Sequence, residues 1–390
     1  MKKFKKAMSL LITAAMLTAL LAGCGGQGQS GNASGDTFKI GGIGPITGST
    51  AVYGLAVKNA AELAIKEINE AGGIAGYQIE YNFQDDEGDN EKAVNAYNTL
   101  KDWNMDVLIG TVTSGCCIAV AAETKNDNMF QITPSGSSVD IISGNDNVYQ
   151  VCFTDPNQGI GAAQYIGQNN LASSVAVIYD SSDVYSSGIY EKFVAETANQ
   201  PFEIVTTEAF TADNKTDFSV QLQKAKDAGA DLIFLPIYYS EASLILTQAS
   251  AMGFAPQFFG CDGLDGILGV ENFDASLAEG VMLLTPFAAD ATDSATQSFV
   301  SAYQAAYGDI PNQFAADAYD AVYIIKAAIE KSGATPSDNV SDLCEKLKGA
   351  MSEISVDGLT GAAMSWDADG AVNKAPKAMQ IINGNYSLIQ

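Results

Sequence analysis

The chain has no histidine and no arginine, so its 20 basic residues are all lysine. The first absence excludes a Ser/His triad and any ordinary His-ligated metal site. The second excludes a bidentate guanidinium clamp on a carboxylate or phosphate. An anion can be held only by hydroxyls, backbone amides or lysine. Positive charge is scarce overall: 46 acidic residues bring the formal net charge to −26, which argues against nucleic acid as a partner, because neutralised phosphates supply most of that affinity. Acidity of this size speaks to solubility and not to fold. The Gly-x4-Gly-Lys-Ser/Thr phosphate loop is absent. Gly42-Ile43-Gly44-Pro45-Ile46-Thr47 fails the dinucleotide fingerprint at its third glycine, so no cofactor is expected. Asp85-Asp86-Glu87-Gly88-Asp89 lacks the ligand spacing of a calcium loop and is expected to be a solvated turn.

What is present begins with MKKFKKAMSLLITAAMLTALLAGC, four lysines followed by an apolar run: an export signal. At about 17 residues the run is at the lower limit for an uncleaved membrane span. Cys24 directly after Leu21-Ala22-Gly23 favours instead a lipoprotein signal, cleaved so that Cys24 becomes a lipid-bearing N-terminus. Residues 1–23 are thus expected to be signal peptide and 24–36, rich in Gly, Ser and polar residues, a flexible tether. The protein would be extracytoplasmic and held at the membrane through the lipid on Cys24. About 350 residues remain, enough for two domains with separate cores. Of the other cysteines, Cys116, Cys117, Cys152, Cys261 and Cys344, no spacing suggests a metal. Their odd number leaves at least one thiol free, and the adjacent pair reads as helix packing rather than redox chemistry.

The chain is organised around Asp106–Ser138, DVLIGTVTSGCCIAVAAETKNDNMFQITPSGSS. Val107-Leu108-Ile109 is the short apolar run of a parallel strand covered on both faces. Thr111, Thr113 and Ser114 place hydroxyls and open N–H groups where a helix from about residue 116 begins, a ready anion site. Met129–Thr133 repeats the layout, ending in Pro134, Ser135, Gly136, Ser137 and Ser138, and ligands of open α/β sheets bind beyond the carboxyl ends of the strands. Taken singly, each turn is equally an ordinary βα loop; the pair suggests a site.

Around this stretch, strands and helices alternate throughout. Strands are expected at 38–43, 79–83, 148–153, 175–179, 203–207, 231–235, 258–260, 280–284, 361–366 and 378–382, with helices between them. Tyr185 falls on a loop, and Tyr238, Tyr239 and Glu241 gather beyond one strand end. Alternation of this kind implies doubly wound α/β sheets, and a dozen strands are better placed in two sheets than one.

These residues resemble the branched-chain amino acid binding proteins, the Leu/Ile/Val-type solute receptors of ATP-driven importers. The resemblance spans nearly all of residues 37–390. It rests on Gly44-Pro45-Ile46-Thr47-Gly48 with Tyr53-Gly54, Asn69-Glu70-Ala71-Gly72-Gly73-Ile74, Asp85-Asp86 and Ile132-Thr133-Pro134. Tyr238-Tyr239-Ser240-Glu241-Ala242, Gly260-Cys261-Asp262-Gly263 and Ala318-Tyr319-Asp320-Ala321-Val322 extend it. The resemblance implies a type I periplasmic binding protein fold: two doubly wound Rossmann-like lobes on a three-strand hinge, closing on an amino acid. The crossovers would lie near 154, 284 and 361, giving a first lobe of 37–154 and 284–361 and a second of 155–283 and 362–390.

It also implies the site. The family's carboxylate site corresponds to Ser114 and Ser137, its amine site to the carbonyl of Gly136 with Asp262, and its aromatic walls to Tyr53, Tyr185 and Tyr238. Thr113 and Ser135 flank the carboxylate end. The residues meet this independently, since without arginine hydroxyls and helix amides must hold the carboxylate, and Asp262 can neutralise a buried ammonium. Asp262 stands where members often have Glu, and Thr113 where some carry a bridged cysteine, so no such bridge is expected. The expectation is a monomeric, non-enzymatic binding protein that delivers a branched-chain amino acid to the permease of an ABC importer, without metal or catalytic residues. The alternative is a sensor for another small zwitterion, amide or carboxylate on the same fold.

Overall fold

The computed structural model describes residues 36–389. The expected signal peptide, the lipid-bearing Cys24 and nearly all of the tether lie outside the described residues.

The first sheet is built from β1 (Phe38–Gly44), α1 (Ala51–Glu70), β2 (Ile79–Asp85), α2 (Asn90–Asp102), β3 (Val107–Ile109), α3 (Ser114–Asp127), β4 (Gln131–Thr133) and β5 (Val148–Gln150). Its order is β2-β1-β3-β4-β5 and every pairing is parallel. All residues of β3, β4 and β5 are buried, because helices cover both faces of a parallel sheet. Asp89 caps α2 by accepting the Lys92 N–H at 2.9 Å, and Asn128 ends α3 in the left-handed conformation that Asn tolerates better than most residues.

The second sheet follows with α4 (Asp155–Gln168), β6 (Ser174–Asp180), α5 (Val184–Thr197), β7 (Glu203–Phe210), α6 (Ser219–Asp227), β8 (Leu232–Leu235), α7 (Tyr239–Ala251), β9 (Gln257–Gly260) and β10 (Met282–Thr285). The chain then forms α8 (Ser294–Tyr307), α9 (Gln313–Ser332) and α10 (Val340–Met351) before returning as β11 (Lys377–Ile382) and β12 (Asn385–Leu388). The order is β12-β11-β10-β9-β8-β6-β7, parallel except for the antiparallel pairs β10–β11 and β11–β12. The fold is therefore α/β with two doubly wound sheets.

Helices α1 and α9 pack on each other and belong to two cores at once. Tyr53, Val57 and Ala60 of α1 join Phe314, Ala315 and Ala318 of α9 in the cluster that contains Ile233 and Leu283 of the second sheet. One or two turns on, Ala61, Ala64 and Ile68 join Val322, Ile325 and Ile329 in the cluster under β1, β3 and β4. The apolar spacing Ala318, Val322, Ile325, Ile329 is the helical stripe that serves both.

Three expectations change. Tyr185, expected on a loop, lies in the first turn of α5. Residues 361–366 form no strand, only isolated bridges from Met364 to Val356 and Trp366 to Val372. This segment lies against the first sheet, where Trp366 donates its indole N–H to the Gln150 carbonyl at 2.8 Å and Gln150 N donates to Gly370 O at 3.0 Å. The third passage between the sheets accordingly falls past Lys374 rather than at 361. Finally, Asp86 is buried instead of solvated, and burial lifts its carboxyl to about 7.

Candidate functional site

The carboxyl ends of β3 and β4 present two turns to a cavity whose other side comes from the second sheet. Its lining is Tyr53, Val112, Thr113, Ser114, Ser135, Tyr185, Tyr238, Asp262, Gly263 and Phe314. Counting all space not filled by atoms, it holds about 230 Å³.

At the first-sheet end, Thr113 precedes α3 without a side-chain cap, so the first amides of the helix keep their positive field toward the cavity. The Ser114 hydroxyl oxygen accepts two backbone N–H groups, from Ser137 at 3.2 Å and Ser138 at 3.3 Å. Its own proton is thereby left for an acceptor in the cavity. Ser135 donates to the Val112 carbonyl at 2.9 Å, which locks the second turn to the first.

At the second-sheet end, Asp262 is 4% exposed. Its Oδ1 accepts the Tyr185 hydroxyl at 2.6 Å, its N–H donates to Gln158 Oε1 at 3.1 Å, and its carbonyl accepts Gln313 Nε2 at 2.9 Å. Burial lifts its carboxyl to about 7, against the lowering effect of the Tyr185 bond. A cation placed beside it would reverse that shift. Glu241, the other acidic candidate beyond these strands, is paired with Lys215 at 2.9 Å and does not line the cavity.

Aromatic rings close the sides. Tyr185 and Tyr238 stack with centroids 4.9 Å apart, and Tyr53 stacks on Phe314 at 4.0 Å. Tyr53 donates its hydroxyl to the Gly263 carbonyl across the cavity. Burial raises the hydroxyls of Tyr53, Tyr185 and Tyr238 well above the ordinary value, so they act as neutral donors.

Seven of the nine expected site residues line the cavity: Tyr53, Thr113, Ser114, Ser135, Tyr185, Tyr238 and Asp262. Gly136 and Ser137 do not. The Gly136 carbonyl, expected to accept an ammonium, already accepts Gln150 Nε2 at 2.8 Å and the Cys152 thiol at 3.3 Å, both behind the turn. Ser137 is fully buried and its Oγ has no hydrogen-bond partner among the described residues. Val112, Gly263 and Phe314 line the cavity without having been singled out. Gly263 adjoins Asp262, whereas Phe314 sits alone inside the start of a helix and carries no local signal. Cys116 and Cys117 are buried, with burial pushing the Cys117 thiol up to about 11, so they act as packing residues. Among the described residues no group of three or more Cys, Asp or Glu could hold a metal ion, and no helix is long and apolar enough to cross a membrane.

Residues 37–385 match the periplasmic binding protein family. The chain is 32% identical to Leu/Ile/Val-binding protein homolog 3 of Brucella melitensis, covering 76% of this chain and 79% of that one. It is 29% identical to the leucine-, isoleucine-, valine-, threonine-, and alanine-binding protein of Pseudomonas aeruginosa, covering 79% and 82%. The branched-chain amino acid transporter substrate binding protein LivJ from Streptococcus pneumoniae, solved in complex with isoleucine, superposes with a TM-score of 0.82. It is 31% identical, with 90% of this chain and 98% of that chain covered.

Proposed function

The chain belongs to the periplasmic binding protein family, and on that premise we propose that it is an extracytoplasmic receptor that captures a branched-chain aliphatic amino acid and hands it to an ABC importer. The observation that supports this most is the polarity of the cavity: uncapped helix amides and the Ser114 proton at one end, Asp262 at the other. An α-carboxylate fits the first and an α-ammonium the second. The side chain would lie among Tyr53, Tyr238 and Phe314.

In this reading the lobes are 37–154 with about 286–374, and 155–285 with 375–389, and they part to admit the ligand. Cys24 would carry the lipid that keeps the receptor near its permease, and the receptor would work as a monomer. The role is binding, and the alternative of a sensor for another small zwitterion rests on the same cavity.

The test is a thermal-shift screen of the protein against the twenty amino acids and small carboxylates, since a ligand bound only by the folded state raises the melting temperature. Leucine, isoleucine and valine are expected to give the largest shifts. No shift with any amino acid would overturn the proposal.

A further inference from the structure

Asp155 opens α4 where the chain passes from the first sheet to the second. It is 2% exposed, and neither carboxylate oxygen has a hydrogen-bond partner among the described residues. Two neighbouring buried atoms are likewise unpartnered: Ser137 Oγ and Gln158 Nε2. These groups form one assembly with the cavity. Asp155 N donates to the Ser137 carbonyl at 2.9 Å, while Ser137 N donates to Ser114 Oγ. Gln158 follows Asp155 by one turn of α4, and its Oε1 accepts the Asp262 N–H. Gly188 of α5 leaves the space that Asp155 fills, since a Cβ there would stand 3.2 Å from Asp155 Oδ2.

The surroundings of this pair are acidic or neutral. Asp262, Asp183 and Asp140 all raise the Asp155 carboxyl. Tyr185, Gln158, the Gly263 amide and Asp317 bear on Asp262. The thiols of Cys152 and Cys261 and the hydroxyl of Tyr238 lie in the field of both carboxyls. Lys374 bears on this end of the fold, but it is bonded to Asp317 at 2.8 Å. Two buried carboxylates with no cation of their own cannot both stay ionised at small cost; such groups keep a proton instead. Burial acts on both in that direction.

Resting on the amino acid reading above, we propose that Asp155 and Asp262 act as one acid pair that holds a proton in the empty cleft, and that the ligand's ammonium enters by displacing it. The O–H bond of the carboxylic acid breaks, the proton leaves to solvent, and the carboxylate so formed faces the ammonium. Asp262 lines the cavity and Asp155 does not, so Asp155 is then a positioning residue that acts through Asp262. A ligand with a cation can drive this exchange, and an uncharged analogue of the same shape cannot.

The test is calorimetric titration of L-leucine into the protein at pH 7 in phosphate and in Tris, buffers with different heats of protonation. The expected result is a heat that depends on the buffer with a slope approaching one proton released per ligand, and a dissociation constant that rises by up to about tenfold per pH unit on acidification. Asp155→Asn should release clearly fewer protons. In the empty wild-type protein, infrared spectra should show the C=O stretch of a protonated carboxylic acid that leucine removes, a readout that does not depend on the variant folding. Leucine binding with the same heat in both buffers would overturn the acid pair and leave the amino acid reading standing, as would a wild-type slope in Asp155→Asn. Failure of every amino acid to bind would overturn both.

Discussion

The Tyr185 hydroxyl donates to Asp262 Oδ1 at 2.6 Å, and the same oxygen of Tyr185 accepts the Gly263 N–H at 2.9 Å. Tyr185 thus fixes both the carboxylate and the backbone beside it. Removing the charge of Asp262 should cost the ligand its ammonium partner, worth about 2 to 5 kcal/mol for a buried charge pair, or roughly thirty-fold to several-thousand-fold in affinity. Asp262→Asn should weaken leucine binding that far in calorimetry, whereas Glu241→Gln should have a much smaller effect. A wild-type dissociation constant in Asp262→Asn would place the ammonium elsewhere.

Ser114→Ala removes the donor to the ligand carboxylate and also the acceptor for two backbone N–H groups. A hydrogen bond to a charged group contributes about 1.5 to 3 kcal/mol, so affinity should fall by roughly 10- to 150-fold. Stability should fall as well, by about 1 to 3 kcal/mol for the orphaned amides. Binding and denaturant titrations on the same variant separate the two effects, and unchanged affinity would take Ser114 out of the site.

The sequence displayed much of this arrangement, for reasons that differ by residue. The short apolar runs of β3 and β8 are continuous because both faces are covered, so they stand out without any partner being known. Thr113 and Ser114 are legible because they follow such a run, and Asp262 through the resemblance carried by Gly260-Cys261-Asp262-Gly263. The direction of the Gly136 carbonyl is not legible, since it is set by Gln150 and Cys152 from the next strand. Phe314 is missed because it reaches the site from a helix start through packing that no local pattern encodes. β12 was open to detection, because Asn383-Gly384, both at positive φ, is a strong two-residue hairpin signal.

The empty protein should be most stable at mildly acidic pH. Burial lifts the carboxyls of Asp86, Asp262 and Asp265 to about 7 and that of Asp317 to about 6. Between the unfolded value and these, the native state binds more protons than the unfolded one, so stability declines as pH rises through this window. The carboxyls of Asp231 and Asp293, held low by hydrogen bonds, act oppositely and withdraw stability as pH falls through their own range. A melting temperature highest at roughly pH 4 to 5 and declining toward pH 8 is expected in scanning calorimetry. A rise over that interval would contradict the assignment.

Lys374 and Asp317 form a buried ion pair at 2.8 Å, 1% and 2% exposed at the side chain, and Lys374 also bonds the Thr360 hydroxyl. Breaking one side leaves a buried charge, which costs about 3 to 5 kcal/mol. Lys374→Met should lower the denaturation midpoint accordingly, and adding Asp317→Leu should restore most of it. Equal losses in the single and double variants would show that the pair contributes through packing alone.

Closure should be visible in scattering. Tyr53 and Ser240 bond across the cleft to Gly263 and Ser49, contacts that an open form gives up and a ligand spanning both sides favours. The radius of gyration should fall when saturating leucine is added, and an unchanged value would exclude a clamp.

Because α1 and α9 each give one end to the core of one sheet and the other end to the core of its neighbour, neither half owns a complete interior. A separately expressed half would lack one wall of its own core, and heat should melt the whole molecule in a single cooperative step. Damage at Ile325, deep under the first sheet, would then be felt as lost abundance of the entire receptor, with the cavity itself untouched.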